Sequence, residues 1–167
     1  FAKDEVIIIP IKNEDGMSRF DAFRNEMLRL DGVSAVSATS NIPGGQFNQH
    51  SIMLAQNLQH KVDASEAFVD YDFFKSLNVE LSEGRLFLRE NPSDRESFIL
   101  NETAAKELSA GGSVLGKEIV WNQDEKNLRG TVIGIVKDFH FQSLHEPVRP
   151  LLFALSTRNF NHILIKL

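Results

Sequence analysis

The sequence predicts an α+β fold, a mixed α/β arrangement in two small subdomains, and three observations carry that prediction. A β-branched run at Val6 to Ile11 opens the chain. Apolar residues then recur at three and four residues, at Phe20, Phe23, Met27 and Leu30, before the period returns to two at Val33 to Thr39. From there to Leu167, short strand-like runs and short helical stretches alternate, with 42% hydrophobic and 25% charged residues over 167 positions.

The elements follow in order. Val6 to Ile11 reads as a strand covered on both faces, and Asn13 to Gly16 as a turn. Ser18 and Asp21 form a capping-box pattern for one amphipathic helix that Gly32 ends. Val33 to Thr39 completes a strand-helix-strand opening, and Asn41 to Gly45 breaks the pattern. Ser51 to Ala55 and Val62 to Val69 read as extended segments joined by a polar stretch. Asp72 is placed to cap a short helix over Phe73, Phe74 and Leu77, and Glu83-Gly84-Arg85 is a turn before Leu86 to Leu88.

Asn91 to Glu96 reads as a surface loop, and Phe98 to Leu100 as a strand running into Asn101, an N-cap for a helix over Glu102 to Leu108. Gly111-Gly112 ends that helix. Lys117 to Trp121 and Gly130 to Val136 are two strands around a polar connection, Asn122 to Arg129. Leu151 to Leu155 and Asn161 to Leu167 suggest a final hairpin. The start at Phe1 and the strand that stops at Leu167 suggest a segment of a longer protein.

Composition narrows the function classes. The net charge of -5, with basic residues scattered, argues against a nucleic-acid partner. Without cysteine there are no disulfides and no thiolate metal sites. No apolar run approaches the roughly 18 residues that cross a bilayer.

Several chemical motifs dissolve in context. Gly111, Gly116 and Lys117 fit the spacing of a phosphate loop, but a helix precedes them and a strand follows, the reverse of what phosphate binding needs. Asp138, His140, His145 and Glu146 could converge as a metal or acid-base site. Alternation sends Phe139 and His140 to opposite faces, so a structural histidine is the reading. Asp70 and Asp72 flank Tyr71 at a strand-to-helix junction, where one acid is expected as a cap. Of 13 Phe, most fall on apolar stripes or in short elements with something to bury. Phe47 in its Gly-rich loop, with Phe139, His140, Phe141 and His145 in the aromatic-histidine turn, are the candidate interaction residues.

Six short motifs stand in register between Asp72 and His140: Asp72-Phe73-Phe74, Glu83-Gly84-Arg85, the run Ile99 to Ala105, Leu115-Gly116-Lys117, the run Val132 to Lys137, and Asp138-Phe139-His140. The series resembles the extracytoplasmic (periplasmic) core domain of MacB-type, FtsX-like ABC transporter permeases. The resemblance implies a Porter-like subdomain at 1–69 plus 141–167, its C-terminal half truncated, and an inserted Sabre-like subdomain at 70–140. It also implies a non-enzymatic domain without cofactor or metal, outside an inner (cell) membrane. Mechanotransmission would couple ATP-driven motion to export or handling of an envelope substrate. The implied partners are a cytoplasmic ATP-binding subunit or domain acting through membrane helices, a second permease copy, and an envelope protein. The alternative is an envelope module that recruits or activates a hydrolase without transport.

Overall fold

The computed structural model describes residues 6–12, 19–124, 126–140, 147–158 and 160–167. Its strands are β1 (Val6–Pro10), β2 (Ala35–Thr39), β3 (Gln49–Leu54), β4 (Asn57–Val69), β5 (Leu81–Gly84), β6 (Ser97–Asn101), β7 (Glu118–Gln123), β8 (Lys126–Val136), β9 (Leu151–Leu155) and β10 (His162–Lys166). The helices among the described residues are α1 (Phe20–Met27), α2 (Phe73–Ser76) and α3 (Glu102–Ser109), with a 3₁₀ turn at Pro92–Glu96. The mixed α+β class expected from the sequence is the class observed.

Six strands close on themselves in the order β4-β3-β7-β8-β6-β9, because β9 pairs in parallel with β4 at Ser65↔Leu151 through Val69↔Leu155. Alternate residues of each strand fill the ring: Ile52 and Leu54, Val62 and Ala64, Phe98 and Leu100, Ile119 and Trp121, Val132, and Leu152 and Ala154. The period-two pattern sends these side chains to one face of every strand, so closing the ring removes all of them from water. Helix α3 adds Ala104, Ala105 and Leu108 to the same core. Trp121 stands at its centre, 5.6 Å from the Phe98 ring and 5.7 Å from the Phe68 ring.

The outer face of β9 and β4 forms a second core with α2, where Phe73 and Phe74 pack on Phe153 at 5.8 Å and 5.1 Å between ring centres. β9 is therefore buried on both sides, which explains its unbroken apolar run. Beyond β4 the sheet continues through β2, β10 and β1. Both β1 and β2 run antiparallel to β10, which lies between them, so the strand-helix-strand opening is split by the last strand of the chain. Helix α1 covers that extension with Phe20, Phe23 and Met27 on Val36, Ala38, Ile163 and Ile165.

The structure corrects several sequence readings. β1 is an edge strand paired on one side, and Ile7, Ile8 and Ile9 are exposed rather than covered on both faces. β9 and β10 form no hairpin; each pairs with strands far away in sequence. The described residues of the polar stretches at 56–61 and 122–129 are mostly strand, carried by ladders that reach Leu54↔Asn57 and Gln123↔Lys126. Helix α1 ends at Met27, before Gly32, and Ser18 lies outside the described residues. The 91–96 loop holds a 3₁₀ turn whose Asp94 is fully buried.

β5 reaches β8 through Gly84↔Gly134. A Cβ on Gly134 would sit 2.2 Å from the Arg85 carbonyl oxygen, so only glycine lets the two backbones approach this closely.

Candidate functional site

The segment leaving β8 is tied down residue by residue. Lys137 donates its backbone N–H to the Glu80 carbonyl at 2.9 Å, and its ammonium pairs with the Glu80 carboxylate. Asp138 accepts from the Thr103 backbone N–H at 3.0 Å and from the Thr103 hydroxyl at 2.7 Å. A carboxylate at the first turn of α3 answers its unpaired N–H groups and its dipole. With both oxygens so engaged, Asp138 is a helix anchor, and the acid-base reading of this turn loses one of its members.

Phe139 then turns inward, half-buried and stacked on Phe153 with centres 6.1 Å apart and planes 14° apart. His140 is exposed. Phe47 is half-buried against the same outer core. Phe141 and His145 lie outside the described residues. The candidate interaction residues thus divide between two aromatic rings packed on the α2 core and one exposed imidazole. Among the described residues no group of three or more His, Asp or Glu side chains is arranged to hold a metal ion.

The junction between β4 and α2 is a denser charge cluster. Asp72 occupies the N-cap position of α2, yet its side chain does not bond the helix. Its Oδ2 instead accepts from Arg24 of α1 at 2.6 Å and from Arg89 at 2.7 Å. Arg89 also lies over the Tyr71 ring, 4.8 Å from its centre. Asp70 makes a local bond just ahead of the helix, its Oδ1 accepting the Asp72 N–H at 3.2 Å. The capping bond expected of Asp72 is therefore not made among the described residues. One carboxylate joins α1 to the segment after β5. Arg24 and Arg89 were missed because partners 48 and 17 residues from Asp72 leave no local pattern.

Asp70 is 4% exposed, and its Oδ2, like Arg24 Nε, has no hydrogen-bond partner among the described residues. Burial, reinforced by the Asp72 carboxylate, pushes its acid from 3.8 up to about 7, against the opposing pull of Arg89. The folded state therefore keeps its proton after the unfolded chain has released it. Stability should fall from about 3.8 to about 7 and level off above, since folding is linked to proton binding across that window. Asp70→Asn keeps the shape without the charge. It is expected to flatten this dependence and to raise stability on the alkaline side by a few kcal/mol, at about 1.4 kcal/mol per pKa unit. Urea midpoints of both proteins across the acid-to-alkaline range check it; parallel profiles would count against a buried, proton-holding Asp70.

On the neighbouring strands, His50 Nδ1 lies 2.8 Å from Glu66 and its Nε2 3.6 Å from Asp124. Burial disfavours the charged ring, but the two carboxylates outweigh it and raise the imidazole pKa. No nucleophile is placed on this arrangement by any described hydrogen bond, and it reads as a clamp between β3, β4 and the β7–β8 turn.

A model of the MacB-like periplasmic core domain matches residues 2–166. The chain belongs to that family. As a MacB-like periplasmic core domain it is similar in fold to the periplasmic region of MacB from Actinobacillus actinomycetemcomitans, at 15% identity and a TM-score of 0.64, covering 99% of this chain and 75% of that one. The extracellular domain of the noncanonic ABC-type transporter YknZ from Gram-positive bacteria aligns at 14% identity and a TM-score of 0.62, over 97% of this chain and 81% of that one. A domain of a putative permease from Porphyromonas gingivalis aligns at 18% identity and a TM-score of 0.57, over 83% of this chain and 63% of that one. None of the curated proteins matches the sequence.

The resemblance drawn from the six motifs therefore holds: this is a periplasmic or extracellular domain of the ABC transporter permease type. No helix among the described residues is long and apolar enough to cross a membrane.

Proposed function

We propose that this MacB-like domain is a mechanical element of an inner-membrane permease, coupling ATP-driven motion to export or handling of an envelope substrate. The family match over residues 2–166 is the observation that carries the reading. Its partners are a cytoplasmic ATP-binding subunit or domain, reached through membrane helices, and a second permease copy. The working parts are a Porter-like portion at 1–69 plus 141–167 and a Sabre-like insertion at 70–140. The chain leaves the first at Val69 and returns on β9 beside β4. The β3–β7 and β6–β9 ladders of the ring join the two parts, and side-chain ties such as Arg24 to Asp72 and Asn101 to the chain entering β9 add to them.

The geometry suits transmission better than catalysis. A closed ring of strands deforms little, and the described residues present packed rings and salt bridges where an enzyme would show convergent reactive groups. Motion then passes through a stiff body as differential contacts between two states.

The test is a distance measurement in the full-length permease with its ATPase. Spin labels at Glu90→Cys, in an exposed turn, would report the separation of the two copies with ATP bound and after hydrolysis. Two populations that follow the nucleotide state support mechanotransmission, and one unchanging distance beside intact ATP hydrolysis would sink it.

The exposed Ile7, Ile8 and Ile9 of β1 favour a second reading, an envelope module that docks and activates a hydrolase without transport. Hydrolase activation that persists with an ATPase-dead partner distinguishes it.

A further inference from the structure

We propose that the cleft lined by Arg95, Leu155, Ser156, Thr157 and Arg158 binds a phosphate group. The cleft measures about 250 Å³. That is below the usual range for drug-sized ligands, roughly 300–1,000 Å³, and suits a single oxyanion. Its two guanidinium groups arrive from separate elements, Arg95 on the 3₁₀ turn and Arg158 just past β9.

Both arginines are exposed, and neither guanidinium has a hydrogen-bonding or ion-pair partner among the described residues. That sets them apart from Arg24, Arg29, Arg85, Arg89 and Arg129, each of which contacts a carboxylate. In a chain of net charge -5, two such cations facing one cleft that no carboxylate among the described residues lines is a local reversal of sign. Planar guanidinium forks match the oxygens of phosphate, and the lining residue Thr157 adds a neutral hydroxyl.

The two backbones that carry the arginines are fixed. Asp94, next to Arg95, is fully buried and held by Arg85 at 2.7 and 2.8 Å and by the Leu88 N–H at 2.7 Å. Across the cleft, the Ser156 N–H bonds the Val69 carbonyl at 3.0 Å, and the Ser156 hydroxyl accepts the Arg158 N–H at 3.2 Å. The side chains are thus free to close on a ligand while their anchors stay in place, which lowers the ordering cost of binding. The phosphate can come from solution or from a lipid headgroup, and the two sources present the same oxygens to the cleft.

Calorimetric titration of the domain with inorganic phosphate at low ionic strength tests the site, with vesicles of phosphatidylglycerol as the second arm. Saturable binding is expected. Arg95→Gln or Arg158→Gln should each weaken it about tenfold or more, the scale of one charge-assisted hydrogen bond. Arg129→Gln, which removes a guanidinium elsewhere on the surface, should leave it unchanged. Vesicle binding that is lost in the Arg95→Gln/Arg158→Gln double variant, without a response to inorganic phosphate, supports the site and assigns the headgroup as its source. No binding in either arm, or binding unchanged in the double variant while melting shows that variant folded, overturns the proposal.

Discussion

Replacing Asp94 with alanine is expected to destabilise the domain by about 3 kcal/mol, the lower end of what breaking a buried ion pair costs. Asp94 is 0% exposed, and it accepts two bonds from Arg85 and one from the Leu88 N–H. Arg85 beside it holds the carboxyl well below the usual carboxylate range. That contribution is therefore present above the ordinary Asp pKa and is lost as pH falls through the depressed one. Arg85 itself is 39% exposed at its side chain, so without Asp94 it can turn to water. The reverse change is harsher: Arg85→Met leaves a carboxylate in the interior with one neutral donor, and should cost more than Asp94→Ala. The double variant should recover part of that loss, because no charge is then stranded. Denaturant midpoints of the three proteins decide it. An Asp94→Ala loss within about 0.5 kcal/mol, the range of an ordinary surface change, would show that the pair merely decorates the turn.

Why Asp94 escaped a reading of the sequence is a matter of range. Asn-Pro-Ser-Asp-Arg-Glu has the composition of a solvated loop, and nothing local distinguishes one of its two acids. The distinction lies in Arg85, nine residues away and across a backbone contact that Gly84 and Gly134 make possible. The same limit explains the other corrections. Ile7, Ile8 and Ile9 look like a central strand because a β-branched run reports strand propensity, whereas coverage is decided by what lies on the far edge. β9 and β10 look like a hairpin because both are short and apolar, but β9 is the strand that closes the ring and β10 the one that splits the opening unit. The strands expected at Lys117 to Trp121 and Gly130 to Val136 are present as β7 and β8.

The charge cluster at Asp70 and Asp72 was half legible. A strand-to-helix junction with an Asp-x-Asp pattern announces a local hydrogen bond, and one is present. Which acid makes it depends on Arg24 and Arg89, which draw Asp72 outward and leave Asp70 inside. In the aromatic-histidine turn, Phe139 is half-buried on Phe153 and His140 is exposed. That Phe139 would stack on Phe153 could not be read, since the contact requires β9 to stand one strand away from β8, across β6.

Asn101 shows how much a correct local assignment can leave out, and it supports the second large effect. The sequence marks it as the N-cap of α3, and its Oδ1 does accept the Ala104 N–H at 3.0 Å. The same oxygen also accepts the Leu151 N–H at 2.9 Å, and Nδ2 donates to the Arg149 carbonyl at 2.9 Å. One fully buried side chain therefore starts the helix and sets the strand that closes the ring. Asn101→Ala removes a cap worth about 1 kcal/mol and strands two backbone groups at roughly 1 kcal/mol or more each, for an expected loss of about 3 kcal/mol. Asn101→Ser can keep the cap but is too short for the bonds to β9, so it should fall between alanine and the native residue. Asn101→Asp keeps both acceptor bonds but turns an acceptor toward the Arg149 carbonyl, and its deficit should shrink in acid as the carboxyl gains a proton to donate. Hydrogen exchange separates the two roles. In the serine variant the Leu151 amide should lose protection while Ala104 keeps most of its own. Equal loss at both would mean that Asn101 acts through the helix alone, and that β9 is placed by packing on Phe73, Phe74 and Trp121.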